Sequence, residues 1–186
     1  TITYTGGFAP VRREPAILFN ALQNLLSRGV IARDKLEVRF YGQEEGWIDN
    51  EIEKYGLSGL VKQYGKVSMP EAQARQRDSQ LLYNPKWTDS QELGIHSMKI
   101  LEYLAARRPV LATGEFKDVV DELLAETGVG TSAATIDEVE QALEAAYHEY
   151  HTNSEVSWRG DEAAINHYSH REMAGKFAEI LDHLTG

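Results

Sequence analysis

Ser79-Gln80-Leu81-Leu82-Tyr83-Asn84-Pro85 is followed, after a polar stretch, by Ser97-Met98-Lys99-Ile100-Leu101-Glu102-Tyr103-Leu104-Ala105-Ala106 and then by Pro109-Val110-Leu111-Ala112-Thr113-Gly114. The first run is short, mostly apolar and stopped by proline, so it reads as a strand. The second reads as a helix. The third is a short apolar run closed by glycine, the pattern of a buried strand. Strand, helix and strand in this span form a βαβ unit, which sets two strands parallel.

The same alternation extends both ways. Ile2-Thr3-Tyr4-Thr5 is β-rich and stops at Gly6-Gly7. After Pro15, Leu18, Leu22, Leu25 and Leu26 fall on one helical face. Leu36 to Tyr41 alternates and stops at Gly42, Trp47 to Tyr55 predicts a helix closed by Gly56, and Leu60 to Val67 predicts a short strand containing Gly65. Ser68 precedes Met69-Pro70-Glu71, a helix start. Trp87 to Leu93 reads as a loop. Toward the C-terminus the pattern predicts a helix over 116–126, a strand over 128–131, a helix from Asp137 to Tyr150, a loop over 152–160 and helix in two pieces over 161–184. About six strands alternating with helices specify an α/β fold with a parallel sheet covered on both faces. Residues 1–160 are expected to form that domain, and 161–186 a helical segment packing on it.

The 186 residues suit one domain with a substantial core. With 42% hydrophobic and 26% charged residues the chain has an ordinary globular composition, and no apolar run approaches the ~20 residues of a membrane helix. The absence of cysteine excludes disulfides, thiol catalysis and Cys-ligated metals. The net charge of −10 disfavours nonspecific nucleic-acid binding. Residues 1–114 carry 15 basic and 13 acidic side chains, and 115–186 carry 4 and 16, so an anionic ligand is expected in the first two thirds and solvated acidic helix faces in the rest. The chain begins at Thr1 within a strand pattern, with no basic segment leading into an apolar one. That start is what a domain cut from something longer would show.

Ligand sites in parallel sheets lie beyond the carboxyl ends of the strands, which directs attention to two turns. The first is Gly6-Gly7-Phe8-Ala9-Pro10-Val11-Arg12-Arg13, leading into a helix. Glycines admit close backbone approach, and two arginines can clamp phosphate. It is neither G-x-G-x-x-G nor a Walker A loop. The second is Gly94-Ile95-His96-Ser97 opening the helix that carries Lys99 and Glu102. Free amides beside a cation suit a diphosphate, and a carboxylate one turn on suits paired hydroxyls such as those of ribose. Both turns also read as plain β–α connections with surface charges. His148/His151 and His167/His170, at i, i+3, read as solvated helix faces, and no nucleophile elbow or zinc-protease motif occurs.

Lys99-Ile100-Leu101-Glu102-Tyr103-Leu104-Ala105-Ala106-Arg107-Arg108-Pro109-Val110-Leu111-Ala112 resembles the K-x-x-E-Y-L-A-A-x-x-P-V-L-A signature of GT-B glycosyltransferases, closest to the retaining enzymes called group 1 or family four. The order of the glycine loop, Tyr55-Gly56-Leu57, Tyr64-Gly65-Lys66-Val67, Asp78 to Pro85 and Gly128-Val129-Gly130 agrees over about residues 1–150. The resemblance implies a Rossmann-like, doubly wound domain that is one half of a GT-B enzyme. Such a half binds a nucleotide-sugar donor, while an N-terminal acceptor domain of the same full-length protein holds the acceptor. It implies Glu102 as the ribose-binding second glutamate of E-x7-E. Arg12 or Arg13, Gly7, Lys99 and the amides of Ile95, His96 and Ser97 would lie around the diphosphate, and Gly65 and Val67 would border the base. The first glutamate of that motif falls at Gly94, leaving Glu92 as the candidate sugar contact, and Phe8 stands where relatives carry arginine. The catalytic residues stay open. No metal or other cofactor is expected for donor binding. The implied setting is polysaccharide biosynthesis, cytoplasmic or peripheral at a membrane. A non-catalytic flavodoxin-like binding module and half of a sugar-nucleotide epimerase are the alternatives.

Overall fold

The computed structural model describes residues 1–10, 13–87 and 98–185. Six strands, β1 (Ile2–Thr5), β2 (Val38–Tyr41), β3 (Val61–Gln63), β4 (Leu81–Pro85), β5 (Val110–Thr113) and β6 (Gly130–Ala133), form one sheet in the order β3-β2-β1-β4-β5-β6. Every pairing is parallel. The helices are α1 (Ala16–Ser27), α2 (Gly46–Lys54), α3 (Met69–Arg77), α4 (Met98–Ala106), α5 (Val119–Thr127), α6 (Ile136–Asn153), α7 (Glu162–Asn166) and α8 (His170–Thr185). The expected doubly wound α/β architecture is therefore present. Among the described residues no helix is long and apolar enough to cross a membrane.

Two cores flank the sheet. Leu18, Phe19, Leu22 and Leu25 of α1 pack with Ile48 and Ile52 of α2, Val139 and Leu143 of α6, and Tyr4, Phe40 and Tyr83 from the strands. Leu26, expected on the same stripe, lies at the margin and is only partly buried. On the other face Ile100, Tyr103 and Leu104 of α4 pack with Val120, Leu123 and Leu124 of α5 over Leu82, Val110 and Ala112, with Ile165 and Tyr168 at the edge. The side-chain alternation of a strand divides β1 between two environments. Ile2 and Tyr4 enter the first core. Thr3 and Thr5 are equally buried but meet polar partners, Ser79 and Gln76. This is why α3 is so polar a helix: it docks on β1 through hydrogen bonds.

The structure shortens two expected elements. The strand expected over 60–67 is confined to Val61–Gln63 because Gly65 turns the chain at φ +72°, presenting its carbonyl to the Gly42 N–H at 3.0 Å. The helix expected from 116 starts at Val119. There the Asp118 carboxylate accepts from the Val120 and Asp121 amides while Asp121 accepts from the Asp118 amide, a reciprocal cap. The helical stretch after residue 160 does break in two, as α7 and α8. Phe177, Ile180, Leu181 and Leu184 of α8 are exposed.

A buried cation ties β4 to the β5–α5 turn. The Lys86 side chain is 1% exposed; its Nζ lies 2.6 Å from Asp121 Oδ2 and 3.7 Å from Asp118 Oδ1, and donates to the Phe116 carbonyl at 2.7 Å. Gly114 leaves room for the lysine stem, since a Cβ there would stand 2.9 Å from Lys86 Cβ. Burial alone would raise the Asp121 carboxyl, but the ammonium and hydrogen bonds from Ser132 and the Asp118 amide hold it well below its usual range. Burial first, then its neighbour Asp121, pushes Asp118 upward. Removing only the cation leaves two partly buried carboxylates facing each other. Lys86→Met should therefore lose about 3 kcal/mol of urea-unfolding stability, part of which returns when Asp121→Asn is added.

Candidate functional site

The strand order reverses between β1 and β4, and the crevice beyond the strand ends at such a reversal is where open α/β sheets bind ligands. A cleft of about 380 Å³ opens there, bordered by Thr5 and Gly42 at the ends of β1 and β2, Val67 and Met69 before and within α3, and Lys99 and Glu102 on α4.

The turn after β1 is held from within. Tyr4 donates its hydroxyl proton to the Gly7 carbonyl at 2.9 Å. Phe8 packs into the first core, its ring centre 4.6 Å from Tyr4 and 4.8 Å from Phe40. Phe8 is thus an aromatic plug, and a charged residue at this position would have to be expelled from that cluster. The chain returns as an antiparallel bridge in which the Arg13 amide donates to the Ala9 carbonyl at 2.8 Å. The Arg13 guanidinium lies 4.5 Å from the centre of the Trp87 ring, a cation over an aromatic face, with its Nε buried and unpartnered.

Lys99 reaches across the end of β1. A Cβ on Gly6 would stand 1.9 Å from Lys99 Cε and 2.8 Å from its Nζ. Gly42 is equally confined, since its Cβ would meet the Gly6 carbonyl oxygen at 2.1 Å. Burial lowers the Lys99 pKa, and the nearby Arg13 charge lowers it further against the opposing pull of Glu102. Two cations close enough to repel one another, one of them partly desolvated, make a site that an anion would stabilise.

Glu102 is anchored laterally. Its Oε2 accepts from Gln76 Nε2 at 3.1 Å, and the same amide nitrogen donates to Thr5 Oγ1 at 2.8 Å. Tyr103, fully buried, accepts from the Thr5 amide at 3.1 Å and fastens α4 to β1. Burial pushes the Tyr103 hydroxyl pKa well above its usual value, so the ring stays neutral. Among the described residues no three His, Asp or Glu side chains converge as metal ligands.

Of the residues singled out from the sequence, Val67, Lys99 and Glu102 line one cleft, with Arg13 within electrostatic reach of Lys99. Gly65 closes the adjacent turn. Gly7 has open space about its α-carbon, while Gly6, which the reading of the turn did not single out, lies against the Lys99 side chain. Arg12, Glu92, Ile95, His96 and Ser97 lie outside the described residues. Gln76, Thr5 and Tyr103 were missed. The available signal was that Met69-Pro70-Glu71-Ala72-Gln73-Ala74-Arg75-Gln76-Arg77 offers no apolar stripe, so a polar residue had to face inward.

A family model described as glycosyl transferases group 1 matches residues 1–149. The chain belongs to this family. Among solved structures, HepE of Anabaena in complex with UDP and glucose superposes with a TM-score of 0.71 at 14% identity, covering 97% of this chain and 48% of that one. A glycosyltransferase from Rickettsia africae gives 0.70 at 16%, covering 96% and 46%. WaaG, a glycosyltransferase involved in lipopolysaccharide biosynthesis, gives 0.63 at 16%, covering 91% and 47%. At these identities the likeness is one of fold. The chain spans about half the length of each. No curated protein sequence matches.

In this family member the Gly6–Lys99 contact has a direct test. Gly6→Ala should displace the ammonium and weaken inorganic pyrophosphate binding about tenfold at low ionic strength, about 1.4 kcal/mol. Gly7→Ala, whose Cβ meets open space, should change it less than twofold. Titration calorimetry of the two variants measures both.

Proposed function

We propose that this chain is the donor-binding half of a glycosyltransferase and holds a nucleoside-diphosphate sugar in the cleft at the β1/β4 reversal. The observation that carries the reading is Lys99 crossing Gly6 with Glu102 one turn further along the same helix. In it, Lys99 and Arg13 neutralise the diphosphate, with Arg12 and the backbone of Ile95, His96 and Ser97 in the roles the family resemblance assigns them. Glu102 accepts from the ribose hydroxyls, and Gly65 and Val67 border the base. Glu92 is the candidate for the sugar. Binding in this scheme needs no divalent cation, because two side-chain cations already meet the phosphates.

Three further facts support it: the family membership, the complex of HepE with UDP and glucose, and the half-length coverage of the neighbours. The acceptor then belongs to an N-terminal domain of the full-length protein, and closure of the two halves excludes water and aligns the reacting atoms. The exposed Phe177, Ile180, Leu181 and Leu184 on α8 agree with a half that has more chain to pack against. The cellular role in this reading is polysaccharide assembly, with the donor drawn from the cytoplasm, where nucleotide sugars are made.

A thermal-shift panel of nucleoside diphosphates, with and without a chelator, tests the reading. A diphosphate at one hundred times its dissociation constant should add about 2.7 kcal/mol to stability, whether or not the chelator is present, and Glu102→Ala should remove most of the gain. A flat response to every nucleotide contradicts donor binding. A response abolished by chelation and restored by magnesium contradicts the metal-free scheme.

A further inference from the structure

Gln76 is the one buried residue of α3, 1% exposed, in a helix whose other side chains are half-buried or solvated. Its position calls for two donors. One Nε2 proton goes to Thr5 Oγ1 at 2.8 Å and the other to Glu102 Oε2 at 3.1 Å. The opposite amide orientation would press the carbonyl oxygen against the carboxylate, so the network itself fixes which end faces Glu102. Thr5 is in turn held by its amide on the Tyr103 hydroxyl. The amide therefore clamps the glutamate between the central strand and its own helix.

The chemistry of the clamp is selective. A lysine or arginine at this position would also hold Glu102 but would neutralise it, and an aliphatic residue would fill the space without holding it. Glutamine pins one carboxylate oxygen and leaves the full negative charge, with Oε1 and the second lone pair of Oε2 available to a ligand. A half-buried glutamate without such a partner has several rotamers, and a ligand that needs one of them bears the entropic cost on binding. Pinning moves that cost to folding.

We infer that Gln76 is a positioning residue for recognition of the ribose diol, acting through Glu102 and making the site discriminate ribose from its deoxygenated analogues. The inference rests on the reading of the cleft as a nucleoside-diphosphate site, and adds to it a residue from a third element that touches no ligand. Without its pin, Glu102 should lose affinity for the diol specifically, leaving the phosphate contacts of Lys99 and Arg13 intact.

The test uses UDP and 2′,3′-dideoxy-UDP as probes, titrated calorimetrically into the wild-type chain, Gln76→Leu, Gln76→Glu, Glu102→Ala and the Gln76→Leu/Glu102→Ala double variant, with thermal melts as controls for folding. The wild type should prefer UDP. Gln76→Leu should raise the UDP dissociation constant about tenfold and leave that of the dideoxy compound within twofold. Gln76→Glu, which sets a second carboxylate against the first, should lose at least as much. In the Glu102→Ala background the leucine substitution should change nothing further, the signature of two residues acting as one unit. Wild-type discrimination in Gln76→Leu, or equal loss for both ligands, overturns the inference. If Glu102→Ala abolishes discrimination while Gln76→Leu preserves it, the positioning role fails and the ribose role of Glu102 stands. If the wild type binds both probes equally, the ribose role of Glu102 and this inference fail while donor binding stands; if it binds neither, the donor-site reading fails and this inference falls with it.

Discussion

The absence of a side chain at Gly6 is the constraint on which the site depends. β1 is a central strand, the chain winds away from it in both directions, and its carboxyl end is where the two halves of the sheet diverge. At that point the Lys99 stem occupies the space a Cβ would need, and the carbonyl of Gly6 is itself covered by Gly42. Any L side chain at Gly6 would push the end of the Lys99 side chain off the strand end. The Lys99 cation and the Glu102 carboxylate one turn further along α4 both border the cleft because the helix lies so close to the end of β1.

The second organising feature is the polar seam between β1, α3 and α4. Thr3, Thr5, Ser79, Gln76 and the Tyr103 hydroxyl are buried and satisfy one another. A fully satisfied buried network fixes relative positions more sharply than apolar contact does, because each partner must sit at one distance and angle. On the opposite face, where α1, α2 and α6 pack, the core is aliphatic and aromatic, with Glu140 bonded to Asn24 and Arg28 at its edge. The molecule thus places its geometric precision on the side that bears the cleft. Lys86, Asp118 and Asp121 extend the same logic to the β5–α5 turn.

Much of the architecture was legible in the sequence because apolar runs closed by glycine or proline mark buried parallel strands, and leucines at helical spacing mark α1. What was not legible came from tertiary partners. Gly65 shortens β3 because a carbonyl at positive φ pairs with the neighbouring turn, and Asp118 delays α5 because a carboxylate at the right register caps it. Gly6 and Gly7 are indistinguishable until Lys99 is seen lying over one of them. The acidic C-terminal helices are not uniformly solvated either. Glu140 of α6 is buried, accepts from Asn24 at 2.7 Å and pairs with Arg28 at 2.9 Å, joining α6 to α1. The histidines behave as expected of helix faces, His148 and His167 lying against exposed glutamates. Lys99 and Glu102, read as companions on one helix face, line one cleft, and the hydrogen-bond partner of Glu102 is a glutamine that no local pattern announces.

The central claim is that the cleft at the β1/β4 reversal receives a nucleotide. The chain has three methionines, of which Met69 and Met98 border that cleft and Met173 lies on α8. Methyl-¹³C spectra of methionine-labelled protein titrated with UDP test the claim most directly. The account predicts saturable shifts of the Met69 and Met98 methyl signals with one dissociation constant, and a stationary Met173. A shift confined to Met173, or saturable UDP binding that moves none of the three, would contradict it.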